Sequence, residues 1–290
     1  MRYEGSLYRP PSEAHSLIVQ ITIGCAHNRC TFCSMYRDKQ FRVRPMQEVL
    51  EDLEEARTSY RKIDKIFLAD GDAMVLPTNH LLTILSEIKR LFPECRRVGI
   101  YATVRDILAR SQEELIKLRE HGLGIVYIGA ETGNPGILEA IQKGATREEL
   151  IQGVKKSEDA GIQASVTFIS GMGGKEHWKE HALDTASMIS EMEPSYIGLL
   201  TLMVEPGTPL YEEIQQGKFT LLSADEVLQE TEELLQHIQV KKTCVFRSNH
   251  ASNYLSLAGD LPQDKEAMLQ EIRMAKQNKG FLKDDRFRML

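Results

Sequence analysis

Six short apolar runs, at 17–23, 65–69, 97–103, 124–130, 163–170 and 196–203, alternate along the chain with polar segments of helical period at 46–61, 78–91, 112–121, 147–160 and 176–192. Within the polar segments apolar residues recur at helical spacing, as in Leu50, Leu53 and Ala56, or Leu115 and Leu118. A strand, a helix and a second strand repeated in this way form right-handed crossovers and a parallel sheet. The pattern predicts an α/β fold. Six units fit an open, partial (β/α)6 barrel better than a doubly wound sheet, although periodicity alone admits both. Gly122 and Gly161 fall where a helix C-cap precedes a strand, and Pro45 falls where it can open the first helix.

The rhythm breaks at Glu205-Pro-Gly-Thr-Pro209. Beyond it the sequence predicts helices at 209–216 and 223–238, a strand at 241–246, a polar stretch at 247–253 and a closing helix at 262–277. The last ten residues, with Lys283, Arg286 and Arg288, are expected to fray. The expected division is a core of residues 1–204 and a C-terminal extension, 205–290, packing on the barrel.

Three cysteines follow the first apolar run directly, in Gly24-Cys-Ala-His-Asn-Arg-Cys-Thr-Phe-Cys33. Thiolates this close at the mouth of a strand suit a metal better than a disulfide. A closed zinc site takes four protein ligands, and an ordinary [4Fe–4S] cluster takes four cysteines. A cubane on Cys25, Cys30 and Cys33 leaves one iron open, which points to chemistry. A structural zinc site needs a fourth ligand, and His27 is the nearest candidate. Cys95 and Cys244 lie far away in sequence and read as ordinary thiols.

Composition narrows the setting. The 290-residue chain is 42% hydrophobic and 27% charged, as in a soluble globular protein. No apolar run approaches the roughly 20 residues that cross a bilayer, and the N-terminus lacks the apolar core of a signal peptide. A cytoplasmic protein without a membrane partner is expected, in a compartment where thiols stay reduced. The net charge of −6 argues against nucleic acid as a partner. Arg37, Lys39, Arg42 and Arg44 are a local exception, either a solvated basic loop or an anion-binding rim beside the cysteines.

In a parallel barrel the functional loops lie at the C-terminal ends of the strands. Those ends read Ala69-Asp-Gly-Asp-Ala73, Tyr101-Ala-Thr-Val-Arg105, Ile128-Gly-Ala-Glu-Thr-Gly133, Ser170-Gly-Met-Gly-Gly174 and Thr201-Leu-Met-Val-Glu205. Taken singly, each is equally a cap or a turn. Taken together, they gather small, polar and acidic residues on one rim. The glycine-rich segment lacks the lysine-serine ending of a phosphate-cradling loop, which excludes that reading.

These motifs resemble those of the radical S-adenosylmethionine (SAM) superfamily, in particular its elongator, coproporphyrinogen oxidase and methylthiotransferase-like group. Cys30-Thr-Phe-Cys33 is similar to the second half of the family's cysteine motif, Cys-x3-Cys-x-aromatic-Cys. The first interval departs from it, with four residues instead of three between Cys25 and Cys30. Asp70-Gly71-Asp72 stands at the place of a Gly-Gly-Glu motif. The stretch from Ile128 to Gly133, with Leu138, Ile141, Lys143 and Gly144, is similar to another family segment, as is the stretch from Phe168 to Glu176.

The resemblance implies a [4Fe–4S] cluster on Cys25, Cys30 and Cys33, with SAM on the open iron. It implies reductive cleavage of SAM to a 5′-deoxyadenosyl radical that abstracts hydrogen from a substrate. Phe32 would meet adenine or pack by the cluster, and Gly71 and Asp72 would meet the methionine amino group. Thr103, Glu131 and Ser170 are candidate SAM contacts. Arg105 or Arg147 would pair with the SAM carboxylate, although Thr146-Arg-Glu-Glu149 also reads as a capped helix start. The catalytic residues stay unassigned. Residues 246–254 are read either as a surface turn or as a substrate-facing wall, with Tyr36, His27 and the basic loop opposite. Implied partners are a small-molecule or peptide substrate and an electron donor such as flavodoxin or ferredoxin. Two other readings stay open: an RNA-modifying enzyme of the same type, and a non-catalytic zinc or iron–sulfur module.

Overall fold

The computed structural model describes residues 1–289. In chain order it forms β1 (Leu17–Gln20), β2 (Thr22–Ile23), β3 (Arg42–Val43), α1 (Met46–Ser59), β4 (Lys65–Ala69), α2 (Thr78–Leu91), β5 (Arg97–Tyr101), α3 (Val104–Leu108), α4 (Gln112–Glu120) and β6 (Leu123–Glu131). There follow α5 (Pro135–Ala140), α6 (Arg147–Asp159), β7 (Gln163–Ser170), α7 (Gly174–Met192), β8 (Tyr196–Thr201), α8 (Pro209–Gln215), α9 (Ala224–His237), β9 (Cys244–Arg247), β10 (Ala258–Leu261) and α10 (Lys265–Gln277).

The eight-stranded sheet has the order β1-β4-β5-β6-β7-β8-β9-β10. Its ladders run parallel at β1–β4, β4–β5, β5–β6, β7–β8 and β8–β9, and β10 is antiparallel to β9. Strands β2 and β3 pair separately. All six expected strands are present, the first one ending at Gln20 with Thr22–Ile23 split off into the separate pair, and the eight-stranded sheet gains two more strands, β9 and β10. The second of these, Ala258-Gly-Asp-Leu261, escaped the sequence reading because glycine and aspartate carry no strand signal.

The chain divides into two compact units. The first comprises residues 1–28, 35–128 and 156–164. Its strand β4 is apolar on both faces, with Ile66, Phe67, Leu68 and Ala69 fully buried, as a strand covered on both sides requires. Helix α1 buries Val49, Leu53 and Ala56, and α2 buries Leu81, Ile84, Leu85 and Ile88. This is the narrow apolar stripe of a surface helix. Ser111 and Glu114 form a reciprocal capping box at the start of α4.

Among the described residues the second unit comprises 29–34, 129–155 and 165–289. Ser248, Ser252 and Asn253 are buried in it. The Thr201 hydroxyl donates to Asn253 Oδ1 (2.8 Å), Thr201 N to Ser252 Oγ (3.2 Å) and Asn253 Nδ2 to the Leu199 carbonyl (2.8 Å). Part of the polar stretch is therefore a buried brace on the end of β8, while Arg247 and Asn249 stay exposed as a surface turn requires. The final residues are held as well, contrary to the expectation of fraying. The Arg288 guanidinium lies 3.9 Å from the Tyr254 ring centroid and donates to the Ser252 carbonyl at 2.6 Å. Lys283 N donates to the Tyr254 carbonyl at 2.8 Å. A cation over an aromatic face combined with backbone bonds outweighs the tendency of a polar terminus to come loose.

Candidate functional site

In the first unit the cysteine loop begins at Gly24, whose φ of 75° an L-residue adopts only with strain. Gly24 N donates to Asp70 Oδ2 at 3.1 Å. The same oxygen accepts from Gln20 Nε2 (3.0 Å) and Lys39 Nζ (2.8 Å). Asp70 N in turn donates to Thr22 Oγ1 at 3.0 Å. The Lys39 and Asp70 side chains are 5% and 0% exposed. A carboxylate at the end of β4 thus gathers the residue before Cys25 and a lysine that follows Cys33. Next to it, a Cβ at Gly71 would run into the Tyr36 ring, 2.8 Å from Cζ. Tyr36 is seated edge-on to Tyr8 with centroids 5.5 Å apart, and its carbonyl accepts from Asn28 Nδ2 at 2.9 Å.

These contacts change the meaning of the basic run. Lys39 is paired with Asp70, Arg42 with Glu4, and Arg44 with Asp52 (2.8 Å) and Glu48 (3.2 Å), the Arg44 side chain being only 2% exposed. These three cations neutralise the protein's own carboxylates and do not form an anion-binding rim.

Asp72 is buried beside Asp106, to which its carboxyl is hydrogen-bonded. Burial, and then the neighbouring Asp106, push Asp72 up to about 8 against the opposing pull of Arg105 and Arg110. Its Oδ1 is buried and takes no hydrogen bond. Thr103 caps α3 by accepting from Asp106 N and donates its hydroxyl to Asp106 Oδ2. Arg105 sits in the first turn of α3. Arg110 donates to the Met74 carbonyl at 2.8 Å and to that of Leu76. Asp72, Thr103, Asp106 and Arg105 are therefore one cluster in the turns that follow β4 and β5.

In the second unit Thr31 N donates to the Ile141 carbonyl (3.0 Å), and the Thr31 carbonyl accepts from Leu210 N (3.1 Å). The Phe32 ring packs on the apolar cluster of Ile137, Ile141, Ile169, Met172, Leu202 and Leu210. The aromatic residue of the motif is thus an anchor for its own loop. Cys33 N donates to the Cys30 carbonyl at 3.3 Å, and Cys25, Cys30 and Cys33 are all partly exposed. Among the described residues, no three His, Cys, Asp or Glu side chains already stand together in metal-binding geometry.

Glu131 closes β6 with φ 70° and pairs with Lys143 at 2.8 Å. Ser170 Oγ and Gly171 N both donate to Glu230 Oε1 at 2.8 Å. His181 Nε2 lies 3.6 Å from the same oxygen and 3.1 Å from the Ile169 carbonyl, while its Nδ1 is 2.7 Å from Thr132 Oγ1. Burial raises the Glu230 carboxyl above the usual carboxylate range, with His181 opposing. Arg147 opens α6 and pairs across to α7, with Glu191 and Ser187 Oγ each at 3.2 Å.

Glu230 and His181 were not among the residues expected from sequence. The available signal was a carboxylate at the helical spacing of the buried Val227, Thr231 and Leu234, and a histidine among the buried residues of α7. A charge on an apolar stripe needs a buried partner, and here the partner is the end of β7.

The family model described as "Radical SAM superfamily" matches residues 19–186. The chain is 28% identical over 198 residues to an uncharacterized methyltransferase of Pyrococcus horikoshii, covering 67% of this chain and 41% of that protein. It is 24% identical over 207 residues to the heme chaperone HemW of Bacillus subtilis, covering 68% and 53%. The chain thus spans about half or less of the length of these two relatives. Its fold is similar to that of the radical SAM methyltransferase TsrM from Kitasatospora setae, solved with cobalamin and a [4Fe–4S] cluster bound. The TM-score is 0.56 at 21% identity, over 70% of this chain and 39% of that one.

Proposed function

The chain belongs to the radical SAM superfamily, a class of enzymes that use a [4Fe–4S] cluster and SAM, and from that premise we propose that it is a reductive SAM-cleaving enzyme. The observation that carries the reading is the donor set: three partly exposed thiols within one short loop, which suits a cluster with one open iron and is one ligand short of a closed zinc site. Cys25, Cys30 and Cys33 would hold the cluster, which when bound and reduced by an external donor would supply the one electron for cleavage of SAM to methionine and a 5′-deoxyadenosyl radical.

The protein's part is to hold and orient. Cys25, Cys30 and Cys33 are the iron ligands, with Phe32 anchoring their loop on an apolar cluster. The backbone of Gly71, whose Cβ face is filled by the Tyr36 ring, and the Asp72 Oδ1 that takes no hydrogen bond are the proposed partners of the methionine ammonium. Thr103 fixes Asp106, and thereby Asp72, through its cap. Arg105, in the same cluster of turns as Asp72, is the proposed partner for the SAM carboxylate, and Arg147 lies instead against α7. Glu131 and Ser170, which belong to the second unit, are further candidates for SAM contacts.

A small molecule or peptide is the proposed substrate, with flavodoxin or ferredoxin as the proposed type of electron donor. RNA is disfavoured because Lys39, Arg42 and Arg44 are neutralised internally. No helix among the described residues is long and apolar enough to cross a membrane, and a cytoplasmic setting is proposed. The test is anaerobic reconstitution followed by dithionite and SAM. Methionine and 5′-deoxyadenosine in equal amounts support the reading. A fully loaded protein that yields neither, or one that holds tightly bound zinc and no iron, refutes it.

A further inference from the structure

Asp70 is fully buried directly after β4. Its Oδ2 takes three donors, from Gln20, from the backbone of Gly24 and from the Lys39 ammonium, while Oδ1 takes none. Gly24 is one peptide bond from Cys25. Lys39 follows Cys33 closely, and its ammonium lies 5.4 Å from the centroid of the Tyr36 ring, the ring that covers Gly71. Both charges of the pair are removed from water. Inside a protein such a pair is strongly coupled, and deleting either partner leaves an uncompensated buried charge.

We propose that Lys39 and Asp70 are a positioning pair for the iron–sulfur loop: the carboxylate fixes the backbone entering Cys25, and the ammonium neutralises that carboxylate so that no net buried charge stands beside the cluster. The proposal rests on the reading that Cys25, Cys30 and Cys33 hold the cluster. Its consequence is electrostatic. Cluster reduction adds a negative charge, and the reduction potential follows the local net charge and hydrogen bonding. Lys39→Met leaves the carboxylate unbalanced, so reduction becomes harder and the potential falls. Asp70→Asn keeps an oxygen to accept from Gly24 N but leaves the ammonium unbalanced, so the potential rises. In the double variant the two shifts oppose each other.

The experiment is an EPR-monitored redox titration of the anaerobically reconstituted protein, with iron and sulfide content measured on every sample. Wild type, Lys39→Met, Asp70→Asn, the double variant and Lys39→Arg are compared. The expected result is a downward shift for Lys39→Met, an upward shift for Asp70→Asn, an intermediate potential for the double variant, and a near-wild-type potential for Lys39→Arg. Should Lys39→Met fail to load a cluster, Asp70→Asn and the double variant still decide, because they differ only in the lysine charge. The double variant must then lie lower. Equal potentials across loaded variants, or shifts of one sign for both single substitutions, overturn the proposal. Failure of wild type to load a cluster overturns the underlying reading instead, and the metal analysis separates the two outcomes.

Discussion

Asp72 and Asp106 are hydrogen-bonded carboxyl to carboxyl, and burial together with this neighbour raises Asp72 to about 8. In the unfolded chain Asp72 ionises near its ordinary value of 3.8. Between these two values the unfolded state releases a proton that the folded state keeps, so the stability tied to Asp72 declines as pH rises. Asp72→Asn retains a hydrogen-bond donor toward Asp106 without the charge. Its melting temperature should match wild type near pH 4 and exceed it increasingly up to pH 8, with a gain of a few kcal/mol, below the ~5 kcal/mol ceiling for a four-unit shift. Thermal melts at a series of pH values check this, and a gap that narrows toward pH 8 contradicts it.

Glu230 holds the end of β7 through Ser170 Oγ and Gly171 N. Glu230→Gln keeps the accepting oxygen and should stay within about 1 kcal/mol of wild type near neutral pH. Because the raised carboxyl of Glu230 loses its contribution as pH rises, the glutamine variant should gain on wild type at higher pH. Glu230→Ala strands two donors and should cost about 2–3 kcal/mol. Urea unfolding of all three proteins at two pH values distinguishes these outcomes.

Gly71 faces the Tyr36 ring with no room for a Cβ. Gly71→Ala should therefore cost about 1–3 kcal/mol by overpacking. The penalty should shrink in a Tyr36→Ala background, where the ring is gone. A double-mutant cycle measures this coupling, and additive costs would mean that the two residues do not meet.

Phe32 packs on the cluster of Ile137, Ile141 and Ile169, which makes it a structural anchor irrespective of any metal. Phe32→Ala should destabilise the metal-free protein by about 2 kcal/mol, whereas Phe32→Leu should lose less. Denaturant midpoints of apoprotein read this out, and an unchanged midpoint for Phe32→Ala would count against the anchor.

Much of the parallel sheet was legible because β4 is a continuous apolar run buried on both faces and β7 alternates buried with less buried residues, and the bounds expected for both are those observed. Helix α2 was equally plain from its apolar stripe. Short elements were missed for want of a pattern. Helix α3 spans only five residues after the Thr103 cap, and α5 only six after the Asn134 cap. At the site, residue types gave the strand-end rim but not its pairings. The run from Arg37 to Arg44 looks like a basic patch until Glu4, Asp52 and Asp70 are brought to it by the fold. Glu230 lies 60 residues from Ser170, beyond the reach of any local rule.

The central claim is that the three loop cysteines hold a cluster with one iron open to SAM. The most direct measurement is EPR of the dithionite-reduced, reconstituted protein before and after addition of SAM, alongside Cys30→Ala. The account predicts a [4Fe–4S] signal in wild type that changes on SAM addition, and no such signal in Cys30→Ala. A wild-type spectrum indifferent to saturating SAM, or a full cluster signal in Cys30→Ala, contradicts it.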